Sequence, residues 1–409
     1  MMKSSNDPGL VSQDRQMLSV GEAKQLVMEN CITGNPARLH ISEARDLVLA
    51  EDIFSPLNIP SWPQSSMDGY AFAFGDWQEG QNLKIMGEIA AGSDISAELA
   101  EGSAMRIFTG AAVPAGADTV VMQEKTRIEN GYLIISDDGL QPGSNVRPEG
   151  AEIRKGGLAL KKGTILRPAA LGFLTSMGIT HVMAFPMPVT AIIVTGNELQ
   201  QPGVPLAFGQ VYESNSWSLK AALEQMHIGN TIVYHAEDTL EKVTTQLGEA
   251  LQNADVIFLT GGVSVGDYDF VAGAAAKNGV RQIFHKIKQR PGKPLYFGKK
   301  ENKLIFGLPG NPASALSCFY EYAEPALKKF AGLDSGVKKI QAPVLNDYKK
   351  AAGLTHFLKG HFDGNSVSLL AGQESYRLSS FAMANCLVQI EEDGTKCNAG
   401  DIVEVHLLP

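Results

Sequence analysis

Two uninterrupted apolar runs constrain this chain more than any other feature. Ala191-Ile192-Ile193-Val194 and Val256-Ile257-Phe258-Leu259 place no polar residue at alternate positions. A strand with one wetted face would alternate, so both runs need cover on two faces, as in a largely parallel sheet between helical layers. The intervening sequence agrees. Ser214-Asn215 precedes a helix to about residue 226. Residues 239–253 place Leu240, Val243, Leu247 and Leu251 on one side, and a further helix is expected over 270–277. With strands at 231–234, 282–287 and 303–306, this predicts a three-layer α/β domain over residues 186–336.

The chain has 409 residues, too many for one ordinary core, so further domains must flank that sheet. Ser19 and Glu22 form a capping-box pattern that opens a helix to Asn30. Over 41–145, short apolar runs alternate with Gly, Pro, Asn and Asp, which predicts a β-rich insertion domain. Residues 168–177 return to helix, with Pro168 in the first turn and Gly178 just past the end. Residues 1–40 and 146–185 are therefore assigned to a composite helical N-terminal domain. Residues 337–409 are rich in β-branched and turn residues and are assigned to a small C-terminal β-barrel.

Composition excludes several function classes. A net charge of −9 is wrong for a nucleic-acid binder. The four cysteines, Cys31, Cys318, Cys386 and Cys397, form no C-x-x-C pair and have no His cluster beside them. That pattern suits reduced, buried thiols in a cytoplasmic protein and not a zinc or iron–sulfur site. Residues 168–197 lack Asp, Glu, Lys and Arg, but Gly178, Pro186, Pro188 and Gly196 interrupt them. A short helix and a buried strand explain this stretch better than a membrane span.

In a parallel sheet, ligands bind beyond the carboxyl ends of the strands. Three such loops carry unusual chemistry. Thr260-Gly261-Gly262-Val263-Ser264-Val265-Gly266-Asp267-Tyr268-Asp269 follows a buried strand, and its glycines let backbone N–H groups converge on an anion. Asp267 and Asp269 beside such a cradle call for a bridging Mg2+. Leu308-Pro309-Gly310-Asn311-Pro312 precedes a helix that Asn311 could cap. Thr195-Gly196-Asn197-Glu198 ends in an acid able to bind a metal or a donor. A basic stretch adds Lys286, Lys288, Arg290, Lys293, Lys299, Lys300 and Lys303 against the single acid Glu301. Strand alternation would put Lys286, Lys288 and Arg290 on one face, attractive to an oxyanion. Pro291, Gly292 and Pro294 fix the direction of Lys293, and Lys299 is expected in a hairpin turn. No Ser/His/Asp or Cys/His set emerges, so acyl transfer by a nucleophile is unsupported.

Together with Ser66-Met67-Asp68-Gly69-Tyr70-Ala71 and Phe108-Thr109-Gly110-Ala111, these segments resemble the molybdopterin molybdenumtransferase family, from about Gln16 to the C-terminus. The resemblance implies an elongated cytoplasmic homodimer with a shared active site, using adenylylated molybdopterin and molybdate as substrates, with Mg2+ assisting and AMP leaving. It implies catalytic roles for Asp68, Thr109, Glu198, Asp269, Lys286 and Lys293, with Glu198 and Asp269 as metal ligands. It implies substrate contacts at Gly261, Gly262, Ser264, Asp267, Arg290, Pro309, Gly310, Asn311 and Ser375. The molybdopterin adenylyltransferase and molybdoenzyme maturation proteins are the partners it suggests. A tungsten-inserting homologue and a non-catalytic molybdopterin-binding scaffold are the alternatives. Asn197, Arg290, Glu152, Glu374 and Lys359 depart from residues usual or common in the family.

Overall fold

A computed structural model describes residues 17–93, 98–262 and 270–409. The chain divides into two compact units, one of residues 1–37, 46–48 and 184–409, the other of 38–45 and 49–183.

The larger unit is built on a six-stranded sheet in the order Thr231–Ala236, Thr190–Thr195, Val256–Thr260, Lys303–Leu308, Pro294–Lys300, Arg281–Lys286. The first four strands are mutually parallel, and the last two complete an antiparallel edge. Every residue of Thr190–Thr195 and Val256–Thr260 is buried, as the apolar runs require. Alternation then sorts their side chains into two cores. Ile192, Val194, Phe258 and Phe306 face one, with Leu219 and Leu223 of the Asn215–Gln225 helix. Ala191, Ile193, Ile257, Leu259 and Ile305 face the other, against Val243 and Leu247 of Leu240–Asn253 and Val271 and Ala274 of Phe270–Lys277. This is the three-layer arrangement. Phe306 is fully buried, and its truncation to Ala would cost about 3–5 kcal/mol.

The Val20–Asn30 helix starts with the expected capping box: the Glu22 N–H donates to Ser19 Oγ, and the Ser19 N–H donates to Glu22 Oε2 at 2.8 Å. Its buried Val20, Ala23 and Val27 join the first of the two α/β cores. In a separate sheet, Gln289–Arg290, Thr355–Phe362, Cys386–Ile390, Ile402–Leu407 and Lys339–Pro343 pair in that order. Val367–Leu369 pairs with Thr355–Phe362, and Val344, just after the last strand, bridges to Val367, so the pairing leads back to Thr355–Phe362.

Two expectations need correction. Lys286, Lys288 and Arg290 do not share one strand face: one strand ends at Lys286, and Gln289–Arg290 belongs to a different sheet. Lys299 is not in a turn. It lies in the Pro294–Lys300 strand, whose Leu295, Tyr296 and Phe297 are fully buried, and the turn comes at Glu301 with φ 53°.

The smaller unit contains a second six-stranded sheet, in the order Thr119–Met122, Gly69–Phe72, Ser103–Ile107, Leu83–Ile89, Tyr132–Ile135, Thr126–Glu129. Tyr70, Phe72, Leu83 and Leu133 form its core. Among the described residues, no helix is long and apolar enough to cross a membrane. All four cysteines are buried and unpaired with one another.

Candidate active site

The carboxyl ends of the parallel strands open onto a cavity of about 660 Å3 in the larger unit. Gly196 and Glu198 line it after one strand, Asp238 after the next, Gly261 and Gly262 after the third, and Pro309, Gly310 and Asn311 after the fourth. All three loops singled out from the sequence therefore meet in one place.

Glycine is required where they meet. Gly261 has φ +87°, and a Cβ there would lie 2.5 Å from the Thr195 carbonyl oxygen. Gly262 also has positive φ, at +62°. A Cβ on Gly310 would touch the Cα of Gly261 at 3.7 Å, so the two glycine loops lie side by side. Asn215, in the first turn of its helix, donates from Nδ2 to the Gly310 carbonyl at 2.9 Å. Ser214 makes no side-chain cap for that helix. Glu213 supplies the acceptor instead, receiving the Ser216 N–H at 2.7 Å.

Asn311 also departs from expectation. It occupies the N-cap position, but its side chain makes no capping bond. Its Nδ2 donates to Ser375 Oγ at 2.9 Å, and the Ala313 N–H donates to the Ser375 carbonyl at 3.2 Å. Ser375 sits in a loop held by Lys359, which is only 2% exposed. The Lys359 ammonium donates to the carbonyls of Gly372, Arg377 and Glu374 at 2.7, 3.1 and 3.3 Å, which uses all three of its protons. Burial pushes the Lys359 pKa below its ordinary value. The Glu374 side chain turns away to an ion pair with Arg377 at 2.9 Å.

Asp238 was not anticipated from the sequence, where His235-Ala236-Glu237-Asp238 reads as the lead-in to a helix capped by Thr239. Its Oδ1 is buried without a hydrogen-bond partner among the described residues. Burial, and then the charge of Glu198, raise its pKa above the usual carboxylate value. Asn197, where the family usually carries an acid, accepts the Asp238 N–H at 3.2 Å through Oδ1.

The basic residues divide by use. Lys288 pairs with Glu392 at 2.7 Å, Lys299 donates to the Asn30 carbonyl at 2.7 Å, and Lys303 donates to the Ala254 carbonyl at 2.7 Å. Lys286, Arg290 and Lys293 are exposed, with no side-chain hydrogen bond or ion pair among the described residues. They do not line the cavity themselves, although Pro294, next to Lys293, does. Ser264, Asp267 and Asp269 lie outside the described residues.

Asp68 and Thr109 belong to the smaller unit. Asp68 Oδ1 accepts both the backbone N–H and the hydroxyl of Thr109, each at 2.8 Å. Those two bonds, backbone first, hold its pKa below the ordinary value, with help from Arg106. The next residue must be glycine, because a Cβ on Gly69 would lie 1.9 Å from the Val121 carbonyl oxygen. Among the described residues, no group of three or more His, Cys, Asp or Glu side chains could hold a metal on its own.

Known families account for this arrangement along most of the chain. Residues 18–178 match the family model described as MoeA N-terminal region (domain I and II), and 341–408 match MoeA C-terminal region (domain IV). Residues 191–329, which carry the cavity, match the model described as "Probable molybdopterin binding domain". A molybdopterin molybdenumtransferase of Haemophilus influenzae is 34% identical over 404 residues, covering 96% of this chain and 100% of that one. The chain belongs to the molybdopterin molybdenumtransferase family. It is thus an enzyme of molybdenum cofactor biosynthesis. Another family member, from Nostoc, is 33% identical over 90% of this chain and 87% of its own length. The molybdopterin biosynthesis MoeA protein of Pyrococcus horikoshii has the same overall fold, with a TM-score of 0.82 at 30% identity over 96% of this chain and 99% of that one. In the molybdenumtransferase fold, therefore, the strand-end cavity of the larger unit falls within the molybdopterin-binding match.

Proposed function

We propose that this enzyme inserts molybdate into adenylylated molybdopterin, with Mg2+ assisting and AMP as the leaving group. The observation that carries this reading is the cavity itself. The Gly261-Gly262 and Pro309-Gly310 loops, whose backbone could receive an anion, line it together with Glu198 and Asp238, and the charge of Glu198 helps raise the Asp238 pKa. Carboxylates facing a phosphate repel it unless a cation lies between them. The donor set fits Mg2+, which binds through one or two carboxylates, substrate phosphate oxygens and retained waters. Asp238 Oδ1, buried without a partner among the described residues, is the atom such an ion would satisfy. Glu198 and Asp238 would hold the ion, joined by Asp269 on the sequence assignment. It would neutralise charge on the departing adenylate.

The remaining roles follow from side-chain chemistry. Gly261, Gly262, Pro309 and Gly310 form the wall against which phosphate oxygens sit, with Ser264 and Asp267 assigned there by sequence. Asn311 lines the cavity and is bonded to Ser375, whose neighbour Tyr376 lines it from the C-terminal segment. Lys286, Arg290 and Lys293, free of structural duty among the described residues, attract the molybdate dianion. Asp68 and Thr109 are assigned a shared site in a cytoplasmic homodimer, each subunit completing its partner's cavity. The C-terminal pairing, which leads back from Val344 through Val367 to Thr355–Phe362, is read as a closed barrel whose loop delivers Ser375. The molybdopterin adenylyltransferase would supply the substrate, and molybdoenzyme maturation proteins would receive the product.

The test is incubation of the purified protein with adenylylated molybdopterin, molybdate and Mg2+. Stoichiometric AMP release that requires both molybdate and Mg2+ is expected. AMP release indifferent to molybdate would overturn the reading.

A further inference from the structure

The cavity contains polar atoms that the charge argument leaves unused. Asn215 and Thr260 both line it, and Asn215 Oδ1 and Thr260 Oγ1 are buried with no hydrogen-bond partner among the described residues. Thr260 is 1% exposed, at the end of a fully buried strand. Buried polar side chains are almost always paired, and one that is not needs an explanation. A binding site gives one, since the missing partner arrives with the ligand.

The chemistry of that partner follows from the bonds already made. The Asn215 amide cannot be turned around. Its Nδ2 donates to the Gly310 carbonyl at 2.9 Å, and a reversed amide would set oxygen against oxygen. Oδ1 is therefore the atom left over, and it can only accept. At Thr260 the backbone carbonyl is already engaged by Thr195 Oγ1 at 3.3 Å, which leaves the hydroxyl, able to donate and to accept. The two residues are linked through the glycine loops: Asn215 is bonded to Gly310, Gly310 lies against Gly261, and Thr260 precedes Gly261. Asn215 Oδ1 does not suit a phosphate, because an amide oxygen repels one, so the pair taken together is not a phosphate site. An acceptor beside a hydroxyl matches the edge of a nitrogen heterocycle, where an exocyclic amino group or ring N–H sits next to a ring nitrogen.

We propose that Asn215 and Thr260 read the N–H edge of the substrate's heterocycle, Asn215 Oδ1 accepting from the N–H and Thr260 Oγ1 bonding the adjacent ring atom. This rests on the substrate reading above. Pterin and adenine both present such an edge, so the shared chemistry is assigned and experiment must separate the two.

Thr260→Val makes the separation possible. It preserves shape and removes only a hydroxyl that has no hydrogen-bond partner among the described residues. The thermal midpoint of the free enzyme should therefore stay level or rise. Affinity for adenylylated molybdopterin should fall about tenfold, as for one lost hydrogen bond of roughly average strength. Thr260→Ser should restore it. Asn215→Ala should weaken binding at least as much and also lower the midpoint, because the Gly310 bond is lost. Calorimetric titration with AMP alone and with molybdopterin lacking the adenylate then assigns the edge. A loss confined to one probe identifies the heterocycle read. If Thr260→Val binds adenylylated molybdopterin with wild-type affinity, or loses affinity only as its midpoint falls, the inference is wrong. Wild-type enzyme is the control. If it binds the adenylylated pterin while the variants are unaffected, only this inference fails; if it binds nothing, the substrate reading fails first.

Discussion

Asp68 and Asp238 are both turn carboxylates, yet their surroundings prepare them in opposite ways. Asp68 is exposed but finished: one oxygen accepts two bonds from Thr109, and its pKa is held down by them. Asp238 is partly buried and unfinished: one oxygen has no partner among the described residues, and burial with Glu198 nearby pushes its pKa up. A satisfied carboxylate keeps its charge and direction whatever arrives. An unsatisfied one beside another acid stores repulsion that only a proton, a donor or a cation can relieve. The first is a fixed acceptor, the second a receptor.

That contrast can be broken most forcefully at the unfinished site. Replacing Glu198 and Asp238 together, by Gln and Asn, should reduce AMP release by roughly 10²–10³-fold, on the scale of a lost electrostatic contributor. It should also leave the thermal midpoint unchanged or raised, since the repulsion disappears. Normal Mg2+-dependent turnover in the double variant would show that the pair is ordinary surface acidity.

A smaller effect is expected at the finished site. Asp68→Asn keeps an oxygen that can accept both Thr109 bonds, so the turn should survive while the charge is lost. Turnover should fall about 10- to 100-fold. Mixing this variant with Glu198→Gln under confirmed subunit exchange tests the shared site. Random pairing makes half the dimers mixed, each with one intact site, so roughly a quarter of wild-type activity should return. Exchange without recovery would place both residues in one subunit's site.

The gentlest comparison is by pH. Observed by carboxyl-carbon NMR, Asp68 should titrate below the ordinary aspartate value and Asp238 above it. The signs for stability are opposite. The lowered pKa of Asp68 gives stability that is present above the unfolded value and lost as pH falls through the folded one. The raised pKa of Asp238 means that folding favours its protonated form, so stability is lost as pH rises from the unfolded value through the folded one. Added Mg2+ should lower the Asp238 midpoint and leave that of Asp68 alone. Identical midpoints would erase the distinction.

Much of this was legible in the sequence. The double-sided burial of Ala191–Val194 and Val256–Leu259 dictated the layers, and the layers dictated where to look for glycine loops. Asp238 was missed because no glycine or proline marks its turn. Only the strand-end rule, applied to the edge strand Thr231–Ala236, could have found it. The basic stretch misled because alternation was assumed across residues 287–289, where the chain leaves one sheet for another. Asn311 looked like a cap because Asn before Pro usually is one. Its partner, Ser375, is 64 residues away in sequence, and no local pattern reveals such a bond. Glu374, one of the departures, pairs with Arg377 through its side chain and serves Lys359 through its carbonyl.

The loop Pro309-Gly310-Asn311 is gripped from both sides, by Asn215 on its carbonyl and by Ser375 on its amide side chain. Such a loop has little conformational freedom left to surrender when a ligand arrives. Freezing a backbone residue costs about 1–2 kcal/mol, and here that cost has already been met during folding. The consequence is kinetic as much as energetic: this wall of the cavity has no need to wait for its own rearrangement, and capture of the substrate there can proceed at the pace of encounter.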